Sequence, residues 1–449
     1  MAFNLVFVLP DKENQSILVQ QTGNGCELPQ YSNPISEIGE SAIPQLADIP
    51  QPYNDFFKNL TGLSVFRKSL FSTSSNIVFV CEQIDEGSIS SGYAWVSYEE
   101  FLSLQQDNEI RKITESVKHN YHNATGFAPH LEWLRSTCAD KNISITGDIQ
   151  QIKSEWVYRV PSSIGDLYLK IVDGPYSELA FTHKLLEQNI PNLPEWVAHN
   201  PSLGAILMKD MGGEDLSSQP VMKIEDLVNL ATALSHTQKA SISYVNSPDF
   251  YGYDYTIGTT IKELNNFPEA AYQMLQGTPY AITLEDKAKL AHNTGRTKSM
   301  LRFIDNLQIP STIHNSDMAA YNTRFTGGKY IFYDWVWGGA GHPFFGMSRL
   351  LNTVKKMLPN LSAKEIIIDI YLNQWLEYGS YEELKQAFTA VDRLQGFSVM
   401  FFLKYVRTKD MHLLFAGKAK ALSAEGRALD KRYQNFALYL NRFLNDVFD

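Results

Sequence analysis

Asp317, Asn322 and Asp334 are the residues of this chain whose types and spacing suit one piece of chemistry; Asn322 follows Asp317 by five positions and Asp334 follows Asn322 by twelve. An Asp carboxylate and an Asn carbonyl are hard oxygen ligands of the kind Mg²⁺ takes. A further Asp can accept a proton from a hydroxyl. Together they suit phosphoryl transfer, in which a protein clamps a triphosphate with Mg²⁺ and orients one acceptor hydroxyl toward the γ-phosphorus. Asp and Asn also favour turns, so the alternative reading of the trio is three polar residues in ordinary loops.

The elements around them must bring the trio together. Thr323 to Phe325, the turn Thr326-Gly327-Gly328-Lys329 and the β-prone return Tyr330 to Tyr333 predict a hairpin. Closing it puts Asn322 beside Asp334, with Asp317 on the loop before them. Upstream, WVYRVPSSIGDLYLKIV at 156–172 reads as two strands joined by a turn containing Ser162, Ser163 and Gly165, with Lys170 inside the second strand. After Asp173-Gly174-Pro175 comes YSELAFTHKLLEQN, a helical pattern with Glu178 in its first turn. A strand lysine and a helix glutamate can pair so that the ammonium is aimed at phosphates. Singly, Lys170 reads as a solvated strand lysine and Glu178 as a glutamate favoured by the helix dipole. The order Lys, Glu, Asp, Asn, Asp is what lifts them above that.

With these residues in view, the chain over roughly 140–449 resembles the aminoglycoside phosphotransferase and choline kinase type of small-molecule kinases, which share the protein-kinase-like fold. VYRV and LYLK resemble the paired phosphate-covering strands, AILMKDMGGEDL at 205–216 the hinge, SDMAAYN the catalytic loop and FYDWVWGGAGHPFF the metal-aspartate segment. The resemblance implies that Asp317 is the catalytic base, that Asn322 and Asp334 hold magnesium, and that Lys170, paired with Glu178, meets the phosphates of ATP. It also implies that backbone groups of Lys209 to Met211 meet the adenine. Ser154 would supply a phosphate contact in a loop, TGDIQQIKSEWVYRV, that is not glycine-rich. Two departures stand out. Asn315 occupies the position of a supporting His, with His314 one residue earlier, and Gly346 that of a supporting Asp; both losses are expected to weaken one shared brace of the catalytic loop. His342, between Gly341 and Pro343, reads as a turn cap.

Composition agrees with a cytoplasmic globular protein. The 449 residues are 44% hydrophobic and 20% charged, enough for about three domain-sized units. Three cysteines, Cys26, Cys81 and Cys138, lack metal-like spacing and fit a reducing compartment. MAFNLVFVLP reads as a first strand and not as a signal peptide, and no run is long enough to span a bilayer. Residues 1–140 carry 17 Asp and Glu against 8 Lys and Arg, so most of the net charge of −10 lies there. That acidity argues against nucleic acid or an anionic membrane as partner.

The first 105 residues have their own pattern. FNLVFVLP and SILVQQT are expected to pair around DKENQ, with SSNIVFVCEQI a later strand and YAWVSYEEFLSL a strand running into a helix. This section faintly resembles a Nudix domain. The clustered carboxylates of a Nudix hydrolase are absent from 37–63, which implies a non-catalytic domain. SYVNSPDFYGYDYTIG at 243–258 gathers Tyr251, Tyr253 and Tyr255 with Asp249 and Asp254; packing against helices is favoured over binding a cationic or sugar-like acceptor.

The expected architecture is α+β: a small α/β Nudix-like domain at 1–105, a helical linker at 106–140, and a two-lobed protein-kinase-like fold with a β-rich lobe at 141–210 and a helical lobe at 211–449. The expected activity is transfer of the γ-phosphoryl of ATP, with Mg²⁺, to a hydroxyl of a small molecule. A nucleotide-binding module with a weakened catalytic loop is the alternative.

Overall fold

Short β-branched and aromatic runs become strands where their alternate residues find an apolar layer to cover. The computed structural model describes residues 4–9, 16–22, 25–31, 59, 61, 65–72, 76–83, 88–105, 107–120, 128–147, 149–153, 157–172, 178–218, 221–277, 280–396, 440–441 and 443–444. Ser154 and most of 37–63 lie outside the described residues, as does most of the expected helical segment after 396. The chain divides into two units, Met1–Asp173 with Trp196–Asp210, and Gly174–Glu195 with Met211–Asp449.

The first unit begins with strands β1 (Asn4–Val8), β2 (Ser16–Thr22), β3 (Gly25–Glu27), β4 (Gln30–Tyr31), β5 (Val65–Ser72), β6 (Asn76–Gln83) and β7 (Tyr93–Ser97). They form two sheets, β4-β1-β6-β5 and β3-β2-β7. The expected pairing of the first two strands does not occur. β1 is held antiparallel by β4 on one edge and parallel by β6 on the other, so it has no edge left for β2. Helices α1 (Tyr98–Leu104) and α2 (Asn108–Asn120) follow, and Ser97 caps α1 by accepting from Glu100 N at 3.1 Å. Phe101, Ile110 and Ile113 bury against Val8, Ile17, Val19 and Val96.

Helix α3 (Ala128–Asp140) and strands β8 (Gln150–Lys153), β9 (Val157–Val160), β10 (Leu167–Ile171), β11 (Trp196–Asn200) and β12 (Ala205–Lys209) complete this unit. The sheet order is β11-β12-β10-β9-β8. β9 and β10 form the antiparallel pair expected of 156–172, and Lys170 sits in β10 between Val157 and Ile206. Leu131 and Leu134 of α3 bury with Tyr158, Val160, Leu167 and Leu169, so this helix helps to form the sheet's core.

The second unit is mainly helical: α4 (Glu178–Glu187), α5 (Ile224–Ala240), α6 (Ile242–Val245), α7 (Ile257–Leu264), α8 (Phe267–Leu275), α9 (Leu284–Asp305), α10 (Pro343–Val354), α11 (Leu361–Asn373) and α12 (Tyr381–Gly396). Leu227, Leu230, Ala231 and Leu234 of α5 repeat at helical spacing and are fully buried. Gln238, one turn on, is buried too, and its amide is satisfied by donating to Pro343 O and accepting from the Tyr371 hydroxyl. No helix among the described residues is long and apolar enough to cross a membrane.

Five short strands carry the loops that matter: β13 (Tyr253–Tyr255), β14 (Thr312–Asn315), β15 (Thr323–Thr326), β16 (Lys329–Phe332) and β17 (Gly338–Gly341). β17 lies between β13, parallel, and β14, antiparallel. The aromatic stretch 251–255 packs: Tyr255 is buried against His314 and Tyr253 stacks on Trp337. Glycines are required in β17 by close approach. A Cβ on Gly339 would lie 2.1 Å from the Tyr253 carbonyl oxygen, and one on Gly338 would lie 2.2 Å from the Phe181 ring. Gly339→Ala is therefore expected to destabilise the protein by about 3 kcal/mol, because the strand partner must move. A denaturant midpoint shift worth less than about 1 kcal/mol would contradict that packing.

Candidate active site

β15 and β16 form the hairpin expected from Thr326-Gly327-Gly328-Lys329, with Thr323 opposite Phe332. Gly327 and Gly328 both have positive φ, +56° and +77°, the conformation a tight two-residue turn demands. Pairing continues past the strands, where Tyr333 N donates to Asn322 O at 3.1 Å. The residues before and after the hairpin are thus joined through the backbone, and Asp334 follows directly.

Asp334 adopts a left-handed conformation, φ 61° and ψ 60°, which Asp tolerates better than most side chains. Its carbonyl is held by Asn315, whose Nδ2 donates to Asp334 O at 2.9 Å. The other end of the same amide, Oδ1, accepts from Asp317 N at 2.9 Å. A single buried carboxamide therefore ties the Asp317 loop to the Asp334 turn. Trp335 anchors that turn from below by donating to Phe332 O, and its ring lies 6.0 Å from Phe181 of α4.

Asn322 turns its Nδ2 to Asp317, reaching the backbone oxygen at 3.0 Å and the carboxylate Oδ2 at 3.3 Å. Its amide carbonyl is then the end presented as an acceptor, as a hard cation requires. Among the described residues no three His, Cys, Asp or Glu gather as a metal site. A cation here would be held by Asn322 and Asp334 with ligands from a bound phosphate and water, the usual company of Mg²⁺.

The residues missed from the sequence are Arg349 and Tyr321. Asp317 Oδ1 accepts from the Tyr321 hydroxyl at 2.7 Å and pairs with Arg349 Nη2 at 3.0 Å. Partial burial, followed by the Asp317 carboxylate, pushes the Tyr321 phenol up to about 12, so it stays a donor at neutral pH. Arg349 comes from α10, and Thr353, one turn further on, accepts from Ala320 N at 2.9 Å. One face of this helix thus fastens the Asp317 loop at two points. Nothing in the sequence flags Arg349, which lies 32 positions from its partner.

His342 is the N-cap of α10, accepting from Phe344 N, as its place before Pro343 implied. Burial, aided by His314, lowers it to about 3, so it is neutral. Asn315 and Gly346, where the resemblance implies the loss of a supporting His and Asp, have different surroundings here. Asn315 works on Asp334 and Asp317, whereas a Cβ on Gly346 would meet Gln238 Nε2 at 3.2 Å and His314 Nδ1 at 3.8 Å. Asn315→His and Gly346→Asp should accordingly destabilise additively, within about 0.5 kcal/mol. Coupling above about 1 kcal/mol in a four-variant unfolding cycle would restore the shared brace.

Met211 begins the second segment of the second unit, and Lys209 ends β12 in the first. Just beyond them, Gly212 and Gly213 both have positive φ, and a Cβ on Gly213 would lie 2.5 Å from Phe325 O. Arg324 Nη1 donates to both glycine carbonyls, at 3.3 and 2.7 Å, fixing this segment to the hairpin. Lys170 is on β10 of the first unit, and Glu178 is buried at the start of α4 in the second.

No family model matches the sequence, and no curated protein matches it. Among solved structures the chain is similar to a choline kinase from Cryptosporidium parvum Iowa II, at 15% identity and a TM-score of 0.43, covering 70% of this chain and 99% of that one. It is similar to choline kinase LicA from Streptococcus pneumoniae at 12% identity and 0.41, over 69% and 98%. A third is the ADP-bound aminoglycoside phosphotransferase APH(2'')-Ib, at 11% identity and 0.42, over 68% and 97%.

Proposed function

We propose that this chain is an ATP-dependent phosphotransferase of the protein-kinase-like type, moving the γ-phosphoryl group to a hydroxyl of a small molecule. The observation that carries the reading is the frame made by Asn315, Asn322 and the hairpin, which gathers Asp317, Asn322 and the Asp334 turn. Turn-forming residues alone have no need of a buried amide bridging two loops. In this reading Asp317 is the base, with Oδ1 fixed by Arg349 and Tyr321 and Oδ2 available to an acceptor proton. Asn322 and Asp334 hold Mg²⁺, which when bound neutralises charge on the phosphates. Lys170 with Glu178 serves the phosphates, Lys209 and Met211 the adenine, and Ser154 the phosphate-covering loop; these roles rest on the resemblance of the sequence to that family.

ATP should raise the melting temperature only when Mg²⁺ is present, since a ligand that binds the native state stabilises it. Equal stabilisation by ATP with and without Mg²⁺ would remove the metal from the reading.

A further inference from the structure

The two oxygens of the Asp317 carboxylate have unequal surroundings. Oδ1 accepts from the Tyr321 hydroxyl at 2.7 Å and from Arg349 Nη2 at 3.0 Å. A carboxylate oxygen has about two lone-pair sites, so those of Oδ1 are filled. Among the described residues Oδ2 is met only by Asn322 Nδ2, at 3.3 Å, and that amide is closer to the Asp317 backbone oxygen, at 3.0 Å. One side of the carboxylate is closed and the other is open.

The donors on the closed side are themselves held. Arg349 lies on α10, whose Thr353 accepts from Ala320 N at 2.9 Å, and the backbone oxygen of Tyr321 accepts from the Tyr333 hydroxyl at 2.6 Å. Rotation about the last bond of an Asp side chain is broad, so an unheld carboxylate would exchange its oxygens. Two donors from different elements prevent that.

We propose that Arg349 and Tyr321 are positioning residues for the base: by holding Oδ1 they keep Oδ2 turned to the acceptor. This rests on the phosphotransferase reading and adds two residues to its machinery. In the step, the acceptor O–H gives its proton to Asp317 Oδ2 and its oxygen forms a bond to the γ-phosphorus. The bond from that phosphorus to the β–γ bridging oxygen breaks, and ADP leaves. Arg349 and Tyr321 act through Asp317 alone, and their bonds to Oδ1 persist throughout.

The test uses the full chain, Mg²⁺ and ATP labelled in the γ-phosphoryl, with water and a panel of sugars, polyols, amino alcohols and hydroxycarboxylates as acceptors. Arg349→Met is expected to lower kcat by about 10- to 100-fold and Tyr321→Phe by about 3- to 10-fold, with KM for Mg-ATP changed by less than about twofold. Arg349→Lys should recover part of the loss, since an ammonium can still donate to Oδ1 but lacks the planar fork. In a chain already carrying Asp317→Asn, Arg349→Met should cost less than about twofold more, because no base is left to aim. Equal losses in the two backgrounds, a rise in KM in place of the fall in kcat, or wild-type kcat in both Arg349→Met and Tyr321→Phe would overturn the proposal. So would a wild type that transfers to no acceptor, water included. A thermal shift with Mg-ATP then separates the failures: if present, the aiming of Asp317 is wrong; if absent, the phosphotransferase reading falls as well.

Discussion

Asp317→Asn is expected to lower turnover by about 10²-fold or more while Mg-ATP binding survives. The substitution keeps the shape of the side chain. An amide oxygen can still accept from Tyr321 and Arg349, which hold Oδ1 in the wild type. The amide nitrogen would then face Asn322 Nδ2, now 3.3 Å from Oδ2, and two donors would oppose each other. That mismatch costs some local stability, but the larger consequence is chemical, because no atom at this position can take the acceptor's proton. Single-turnover kinetics beside a thermal shift with Mg-ATP separates the two effects. Unchanged transfer would remove Asp317 as base, and loss of nucleotide binding would make it a ligand or a structural residue instead.

Asp334→Ala is expected to abolish the magnesium-dependent part of the stabilisation by ATP. A ligand at a hundred times its Kd stabilises by about 2.7 kcal/mol, so the missing shift is easily measured. The bond from Asn315 to the backbone carbonyl of Asp334 does not involve the carboxylate and survives the substitution. Ala is less tolerant of the left-handed conformation at φ 61°, so part of any stability loss comes from the backbone. Asp334→Asn is the control, because it keeps that tolerance while removing the charge. Equal Mg-ATP shifts in wild type, Asp334→Ala and Asp334→Asn would mean that the cation, if bound, is held elsewhere.

The hairpin from Thr323 to Phe332 was legible because its turn glycines answer a local demand for positive φ between two β-prone runs. The β9-β10 pair was legible for the same reason, the information lying within about fifteen residues. Proximity in the chain suggests pairing of β1 with β2 but does not say which strands already occupy an edge; β6, about seventy residues on, takes it. Arg349 escaped notice because an arginine on an amphipathic helix reads as surface until the fold brings it to Asp317. In the sequence, Asn315 reads as a loss from the catalytic loop. Its two hydrogen bonds make it the tie between that loop and the Asp334 turn, a role that exists only once both loops are folded.

Transfer of labelled γ-phosphoryl from ATP to a small hydroxyl compound by the purified chain tests the phosphotransferase reading most directly. The predicted result is a labelled product that requires both the acceptor and Mg²⁺ and falls by about 10²-fold or more in Asp317→Asn. Binding of Mg-ATP with no acceptor product from any class of hydroxyl compound, and wild type indistinguishable from Asp317→Asn, would contradict it and leave a nucleotide-binding module.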